Sequence, residues 1–186
     1  DPKDHHSLKK LIEIGVLCNN SDLVKEGEEW KIEGESTEGA LVVMAKKAGV
    51  EKSEVHSRFP RVKVNPFDAK RKCMSAVHKV EDKHFVYAKG APEILLTKCN
   101  YYLSEGREKK IDDETRQKLI DKNEEYAMRG LRVLGLAYKE HNKDNMDVDS
   151  VESDLVFVGL VSIRDPPEPS ARLSVQLCQA AGIKVV

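Results

Sequence analysis

Apolar residues recur every three to four positions in several stretches of the chain, a spacing that places them on one face of a helix. Residues 4–18 are the first such stretch. A second begins at Ser36 or Thr37, either of which is a good capping residue, and ends at Gly49. The pattern predicts two helices here, separated by a short strand or an irregular loop in the polar residues 21–35.

Other apolar runs are rich in β-branched residues and predict strands, at residues 61–64, 73–80, 85–89, 132–139 and 155–163. The turn at 81–83 joins the second and third strands into a hairpin. A short helix from Pro92 to near Cys99, and a longer one from Asp112 or Asp113 to Gly130, precede the fourth strand. Because strands come in runs instead of alternating with helices, we predict an α+β fold with a largely antiparallel, twisted sheet flanked by helices.

The Pro-rich residues 165–169 mark a boundary, because proline fixes φ and stiffens the chain as a hinge requires. Beyond it the pattern predicts a helix over residues 171–182 and a truncated strand over residues 183–186. We therefore expect one domain over residues 1–164. Residues 165–186 are expected to be a hinge and an incomplete βα piece of a second domain, as in a segment excised from a longer protein.

Composition excludes several classes of function. The 31 basic and 32 acidic residues are interspersed and give a net charge of −1, so nothing global favours nucleic acid or an anionic membrane. The four cysteines lie far apart without a CxxC pair, which argues against a zinc site and a disulfide framework. No apolar run is long enough to span a membrane. The acidic residues 144–154 lack calcium-loop spacing and predict a solvated loop, so no metal site is expected.

Known catalytic motifs are also missing. The sequence contains no GxxxxGK[ST], GxGxxG, HExxH or GxSxG, and we identify no catalytic residue within the chain. Phe67, however, follows a proline and is surrounded by Lys70, Arg71 and Lys72, an unusual setting for a core aromatic. It is either an exposed ring that stacks on a purine, with a lysine serving the phosphate, or a core residue beside a solvated strand end.

Three other positions allow a binding role or an ordinary structural one. Lys89-Gly90 ends a strand, either to admit a ligand close to the backbone or to turn into a helix. Glu38 either accepts from an exocyclic amine or stabilises a helix N-terminus. Arg132 either holds a phosphate or lies on a strand surface.

Taken together, these pieces resemble the nucleotide-binding domain of P-type cation-transporting ATPases, closest to the calcium-pump branch. The resemblance covers essentially the whole chain. It rests on LIEIGVLCNNSDL (11–23), GESTEGAL (34–41), NPFDAKRKCMS (65–75), AKGAPE (88–93), GLRVLGLAY (130–138), DPPEPS (165–170) and AAGIKVV (180–186), in that order.

The resemblance implies an adenine-nucleotide site. It implies that Phe67 stacks on adenine, that Glu38 contacts the adenine edge and that Arg132 contacts the polyphosphate. The other residues implied to contribute are Thr37 beside Glu38, Lys72 and Lys89 lining the pocket, Met74 against the base, Gly90 and Ala91 at the backbone approach, Leu134 as an apolar wall and Asp165 at the hinge.

The chain departs from the family pattern at three points. Ala69 stands where calcium pumps commonly have an arginine, a role that Lys70 or Arg71 either does or does not take over. Glu168 stands where an arginine commonly follows the two prolines, which leaves the hinge contact open. The DKTGT motif of the phosphorylated aspartate, the TGD motif and the GDGxND magnesium site are absent from the sequence.

The resemblance implies a cytoplasmic ATP-binding domain of an ion-translocating ATPase, lying at the membrane face and working with the phosphorylation and actuator domains of the same parent chain. ATP is the expected ligand, with Mg²⁺ held mainly by residues outside this segment. The fragment is expected to bind ATP without turning it over. The alternatives are a non-catalytic adenine-nucleotide sensor or interaction module of the same fold, and a vestigial pocket on a docking surface.

Overall fold

The computed structural model describes residues 5–142, 144–164 and 170–185. Its helices are α1 (His6–Leu17), α2 (Ser36–Lys47), α3 (Lys52–Arg58), α4 (Pro92–Thr97), α5 (Asp113–Met128), α6 (Val148–Val151) and α7 (Ala171–Ala180). Its strands are β1 (Asp22–Glu26), β2 (Glu29–Glu33), β3 (Arg61–Asp68), β4 (Cys73–Val80), β5 (Lys83–Gly90), β6 (Cys99–Ser104), β7 (Arg107–Lys110), β8 (Arg132–His141) and β9 (Leu155–Ile163).

Seven of these strands form one sheet in the order β3-β4-β5-β8-β9-β6-β7. Every neighbouring pair is antiparallel except β6 and β9, which run parallel. The remaining strands, β1 and β2, make a separate antiparallel hairpin. The predicted α+β fold with a largely antiparallel sheet is confirmed.

Both faces of the sheet are covered. On one face α1 contributes Leu11, Ile14 and Leu17 to a cluster with Tyr87 and Leu136 of the central strands. On the other face, residues that alternate with these along the strands, such as Ala88, Ala137 and Phe157, form a second cluster with α4. Leu119 and Ile120 of α5 pack against this second cluster. Burial on both faces explains why these strands are almost continuously apolar instead of alternating with polar residues.

The polar parts of the chain differ most from the sequence predictions. Residues 21–35 form the β1-β2 hairpin, and α3, β6 and β7 were not predicted. The cap of α2 is Glu35, whose Oε2 accepts from the Thr37 amide at 2.9 Å, so the prediction of Ser36 or Thr37 as cap was wrong.

Two predictions near the C-terminus were also wrong. Residues 144–154 are not simply a solvated loop, because the segment contains α6 and places Glu152 in the interior with 1% of its surface exposed. Residues 183–185 are not in a strand. The predicted hinge at residues 165–169 lies outside the described residues.

Candidate nucleotide site

A cavity of about 290 Å³ opens where one helix begins and three strands of the sheet start or end. The start of α2, the C-terminal ends of β3 and β5, and the start of β8 surround it. The adjacent strands β5 and β8 pair in register here, Gly90 opposite Gly135 and Lys89 opposite Leu136. The residues that line the cavity are Glu35, Thr37, Glu38, Phe67, Lys89, Gly90, Arg132 and Leu134.

Phe67 lies at the mouth of this cavity and is 63% exposed, so it is not a core residue. The turn that follows it is fixed by Asp68, whose Oδ1 accepts from the amides of Lys70 at 3.0 Å and Arg71 at 2.9 Å. Lys72 completes the turn in the left-handed region, with a φ of 48°. An ordered backbone therefore holds an exposed aromatic ring against an apolar recess, an arrangement suited to stacking.

Lys89 and Glu38 form an ion pair inside the cavity, with Nζ 2.8 Å from Oε1. Their side chains are only 7% and 14% exposed. Glu38 also accepts from the Asn20 amide through Oε2, at 2.6 Å. The Lys89 Nζ, although close to a carboxylate, makes no hydrogen bond of good geometry within the described part of the chain. Because an ammonium has three protons to donate, this buried group retains donor capacity toward a ligand.

Gly90 is required by the approach of two strands. A Cβ on Gly90 would lie 2.4 Å from the Lys72 carbonyl oxygen and 2.7 Å from the Cys73 Cβ, and neither belongs to a flexible side-chain end. The Ala91 amide donates to the same carbonyl oxygen at 3.0 Å. The glycine therefore allows the end of β5 to lie against the turn at Lys72, beside the cavity.

Arg132 and Leu134 line the cavity from the start of β8. The Arg132 Nη1 donates to the Thr37 hydroxyl, which ties the start of β8 to the start of α2. Among the described residues, Arg132 has no carboxylate within ion-pair distance. An exposed guanidinium held in this way presents its remaining donors to an anion.

Seven of the eleven residues predicted for the site line the cavity: Thr37, Glu38, Phe67, Lys89, Gly90, Arg132 and Leu134. Three others do not. Lys72 is exposed on the turn, Met74 is 1% exposed within the core, and Ala91 caps α4. Asp165 lies outside the described residues.

The structure also bears on the question raised by Ala69. Arg71 does not line the cavity, because its Nη1 donates to Glu152 Oε1 and its Nη2 to the Pro66 carbonyl at 2.8 Å. Lys70 does not line the cavity either. Arg71 instead fixes the turn that carries Phe67.

Two contributors were missed from sequence. Glu35 lines the cavity beside Thr37 and caps α2, but glutamate is not among the preferred capping residues, so the adjacent Ser36 and Thr37 were the stronger signals in the sequence. Glu152 is buried and stabilises the turn that follows Phe67, between β3 and β4. It accepts from Cys73 at 3.0 Å, from Ser75 at 3.0 Å and from Arg71, and Lys98 lies 3.5 Å away. Nothing in the acidic run around Glu152 distinguishes it from its solvated neighbours.

The charge of Glu152 is stabilised by these donors. Burial alone would raise the pKa of its carboxyl, but the hydrogen bonds from Arg71, Cys73 and Ser75 outweigh that effect and hold the pKa below its usual value. The carboxylate is therefore ionised when it anchors the turn.

Comparison with known proteins places these features in a family. A family model described as P-type ATPase, cytoplasmic domain N, matches residues 7–170. The chain belongs to that family. A calcium-transporting ATPase of Listeria monocytogenes is 35% identical over 179 residues, 96% of this chain and 20% of the relative. A cation-transporting ATPase of Synechocystis is 36% identical over 181 residues, covering 96% and 20%.

A calcium-transporting ATPase of Bacillus subtilis is 32% identical over 185 residues, 98% of this chain and 21% of the relative. The chain thus spans about a fifth of the length of these P-type ATPases. None of the helices in its described part combines the length and apolar composition needed to cross a membrane. Residues 5–142, 144–164 and 170–185 also contain no group of three His, Cys, Asp or Glu side chains arranged to hold a metal ion.

Proposed function

We propose that this domain N binds ATP, with adenine in the 290 Å³ cavity, on behalf of a P-type ATPase that transports a cation. The observation that carries the proposal is that an exposed aromatic ring and a buried ammonium that still has protons to donate line one largely apolar recess. Membership of the family supports the same ligand.

Three of the lining residues have roles that their positions support. Phe67 stacks on the purine, Glu38 accepts from the exocyclic amine, and Leu134 forms an apolar wall. At about 290 Å³ the cavity lies just below the usual range for ligand sites, about 300–1,000 Å³. It therefore suits a base, and the phosphates extend past Arg132, beyond this cavity.

The chemistry of the parent enzyme takes place outside the described residues. ATP supplies the γ-phosphoryl group, which passes to an aspartate of a separate phosphorylation domain. Mg²⁺ travels with the nucleotide and is held mainly by residues outside this segment. This domain contributes capture and positioning, which account for most of the catalysis in phosphoryl transfer.

We also propose the organisation of the parent protein. Residues 1–164 are the nucleotide-binding domain, and residues 165–186 are the hinge and the start of a second phosphorylation-domain segment. The domain lies at the cytoplasmic face of the membrane and meets the phosphorylation and actuator domains of its own chain. The names of the relatives favour calcium as the transported ion.

The test is a titration of the domain with ATP, AMP and GTP, followed by amide shifts in NMR spectra. We expect localised shifts at Phe67, Gly90 and Arg132, with ATP preferred over GTP. Phe67→Ala should weaken ATP binding about tenfold, because base stacking on an aromatic ring contributes roughly 1–3 kcal/mol.

Tyr101→Ala is the matched control, since Tyr101 is an exposed aromatic residue of β6 that does not line the cavity. It should leave the affinity unchanged. A folded wild-type domain that shows no shifts at millimolar ATP would contradict the proposal, as would equal losses in the two variants.

A further inference from the structure

A second cavity, of about 470 Å³, lies directly beside the first. The two share Thr37 and Arg132, the hydrogen-bonded pair that divides them. The new cavity extends from there toward the end of β9, where the domain leads into residues 165–169. Its lining comprises Ile32, Ser36, Thr37, Ala40, Ala127, Gly130, Leu131, Arg132, Ile163 and Arg164.

The two cavities differ in charge. The first contains two acids, Glu35 and Glu38, opposite two bases, Lys89 and Arg132. The second contains Arg132 and Arg164, and none of its described lining residues is acidic. Arg164, like Arg132, has no carboxylate within ion-pair distance among the described residues. The anionic part of a ligand is therefore favoured in the second cavity and disfavoured next to the two glutamates.

We propose that the second cavity is the polyphosphate subsite and that Arg164 is a phosphate-contacting residue of this chain, acting with Arg132. The inference rests on the proposed binding of adenine in the first cavity. Arg132 begins β8, and Arg164 directly follows the last residue of the neighbouring strand β9. Two planar guanidinium groups suit a chain of phosphate oxygens, because each can donate two hydrogen bonds in parallel. The nucleotide then lies with its phosphates directed along the start of β8 toward the end of β9.

The experiment compares adenosine, AMP, ADP and ATP by isothermal titration calorimetry at low and high salt. Arg164→Gln should weaken ATP binding about fivefold and reduce its salt dependence, because it removes one charged contact to the phosphates. Adenosine binding should not change. Arg164→Lys should recover part of the loss, since it keeps the charge without the planar donor pair.

Arg107→Gln is the matched control. It makes the same change in net charge at an exposed position on β7 that lines neither cavity. Because Arg164 is also exposed, both variants should fold, and thermal unfolding verifies this.

The outcomes separate this inference from the proposed function. If Arg164→Gln and Arg107→Gln bind ATP equally well, or if the wild-type domain binds adenosine as tightly as ATP, the phosphate subsite is wrong while base binding stands. If the wild-type domain binds none of the four compounds, both are wrong.

Discussion

Lys89 and Glu38 are an enclosed ion pair whose two members depend on one another. Removing one member leaves the other charge in a poorly solvated position, which typically costs more than the intact pair contributes. We expect Lys89→Met and Glu38→Gln each to lower the free energy of unfolding by about 2–3 kcal/mol, and the double variant to lose clearly less than the sum. Denaturant unfolding of the four proteins measures this coupling.

The exposed pair Lys83 and Glu140 provides the control. Its Nζ lies 2.9 Å from Oε2, much like the buried pair, but the side chains are 62% and 54% exposed. Water screens such pairs, so Lys83→Met and Glu140→Gln should each change stability by less than about 1 kcal/mol. Additive effects of the Lys89 and Glu38 substitutions would show that the two charges do not interact.

The predicted site residues that line the cavity include those whose type was unusual for their place in the pattern. Phe67 stood among cations, and Lys89 ended an apolar strand. Met74 was predicted for the site but lies in the core and does not line the cavity. In the sequence, an apolar residue of a strand that is buried on both faces looks the same whether it lies in the core or reaches a cavity. Only the geometry of the packed sheet decides between those positions.

At the level of elements, Glu152 connects the end of α6 to the turn between β3 and β4. Glu152→Gln keeps the shape of the side chain but removes the charge that Arg71 and its other donors face. We expect a loss of about 2 kcal/mol in the free energy of unfolding at neutral pH, because hydrogen bonds to charged groups typically contribute that much. ATP affinity should also fall, since the turn carries Phe67.

The same carboxylate gives a pH dependence of known sign. Its pKa is lower in the folded protein than the ordinary value of 4.5, so its contribution is complete above pH 4.5 and is lost as the pH falls through the folded pKa. The stability difference between wild type and Glu152→Gln should therefore shrink in acid, as measured by urea unfolding from pH 7 to pH 3. Glu51→Gln, at an exposed pair with Lys46, removes the same charge from the surface and controls for the change in net charge. If the stability difference between wild type and Glu152→Gln stayed constant from pH 7 to pH 3, the stabilising role of the Glu152 charge would be contradicted.

The elements found from sequence and those missed differ in how much apolar surface they bury. The helix α1 and the strands β4, β5, β8 and β9 carry dense apolar runs and were predicted. The hairpin β6-β7 ends in Arg107–Lys110, where every residue is exposed, so its pairing rests on backbone hydrogen bonds that leave no hydrophobic pattern. The helix α3 has no buried residue and only seven residues, about two turns, which is too short to show a helical repeat of apolar positions. By contrast α5, which also has no buried residue, was predicted because its 16 residues are long enough to show that repeat.

At the level of the whole molecule, the four cysteines lie in different parts of the fold, so the reactivity of each thiol measures the accessibility of its own part. Cys18 follows α1, Cys73 begins β4 and Cys99 begins β6, and all three are buried. Burial raises the pKa of the Cys18 thiol to about 11 and that of the Cys99 thiol to about 12. At Cys73, burial and the hydrogen bond to Glu152 together raise the thiol pKa to about 12. Cys178, in α7, is partly exposed.

This distribution predicts the thiol chemistry of the native protein. At pH 8 we expect one thiol to react rapidly with a disulfide reagent, and all four to react in denaturant, because the thiolate is the reactive form and the buried thiols lack both access and charge. Cys178→Ser should abolish the rapid phase. Rapid labelling that persists in that variant would show that one of the three buried sites is open in the native state.

The slower labelling of the three buried cysteines tests the proposed domain division. If residues 1–164 fold as one cooperative unit, Cys18, Cys73 and Cys99 become accessible only by opening of that unit, and their labelling rates should converge. ATP should slow all three by the same factor, because a ligand that binds only the folded form stabilises it by mass action. Labelling of Cys178 should be insensitive to ATP, since the proposed division places α7 in the second segment. A Cys178 rate that follows the other three would place α7 in the same folding unit and move the boundary beyond residue 180.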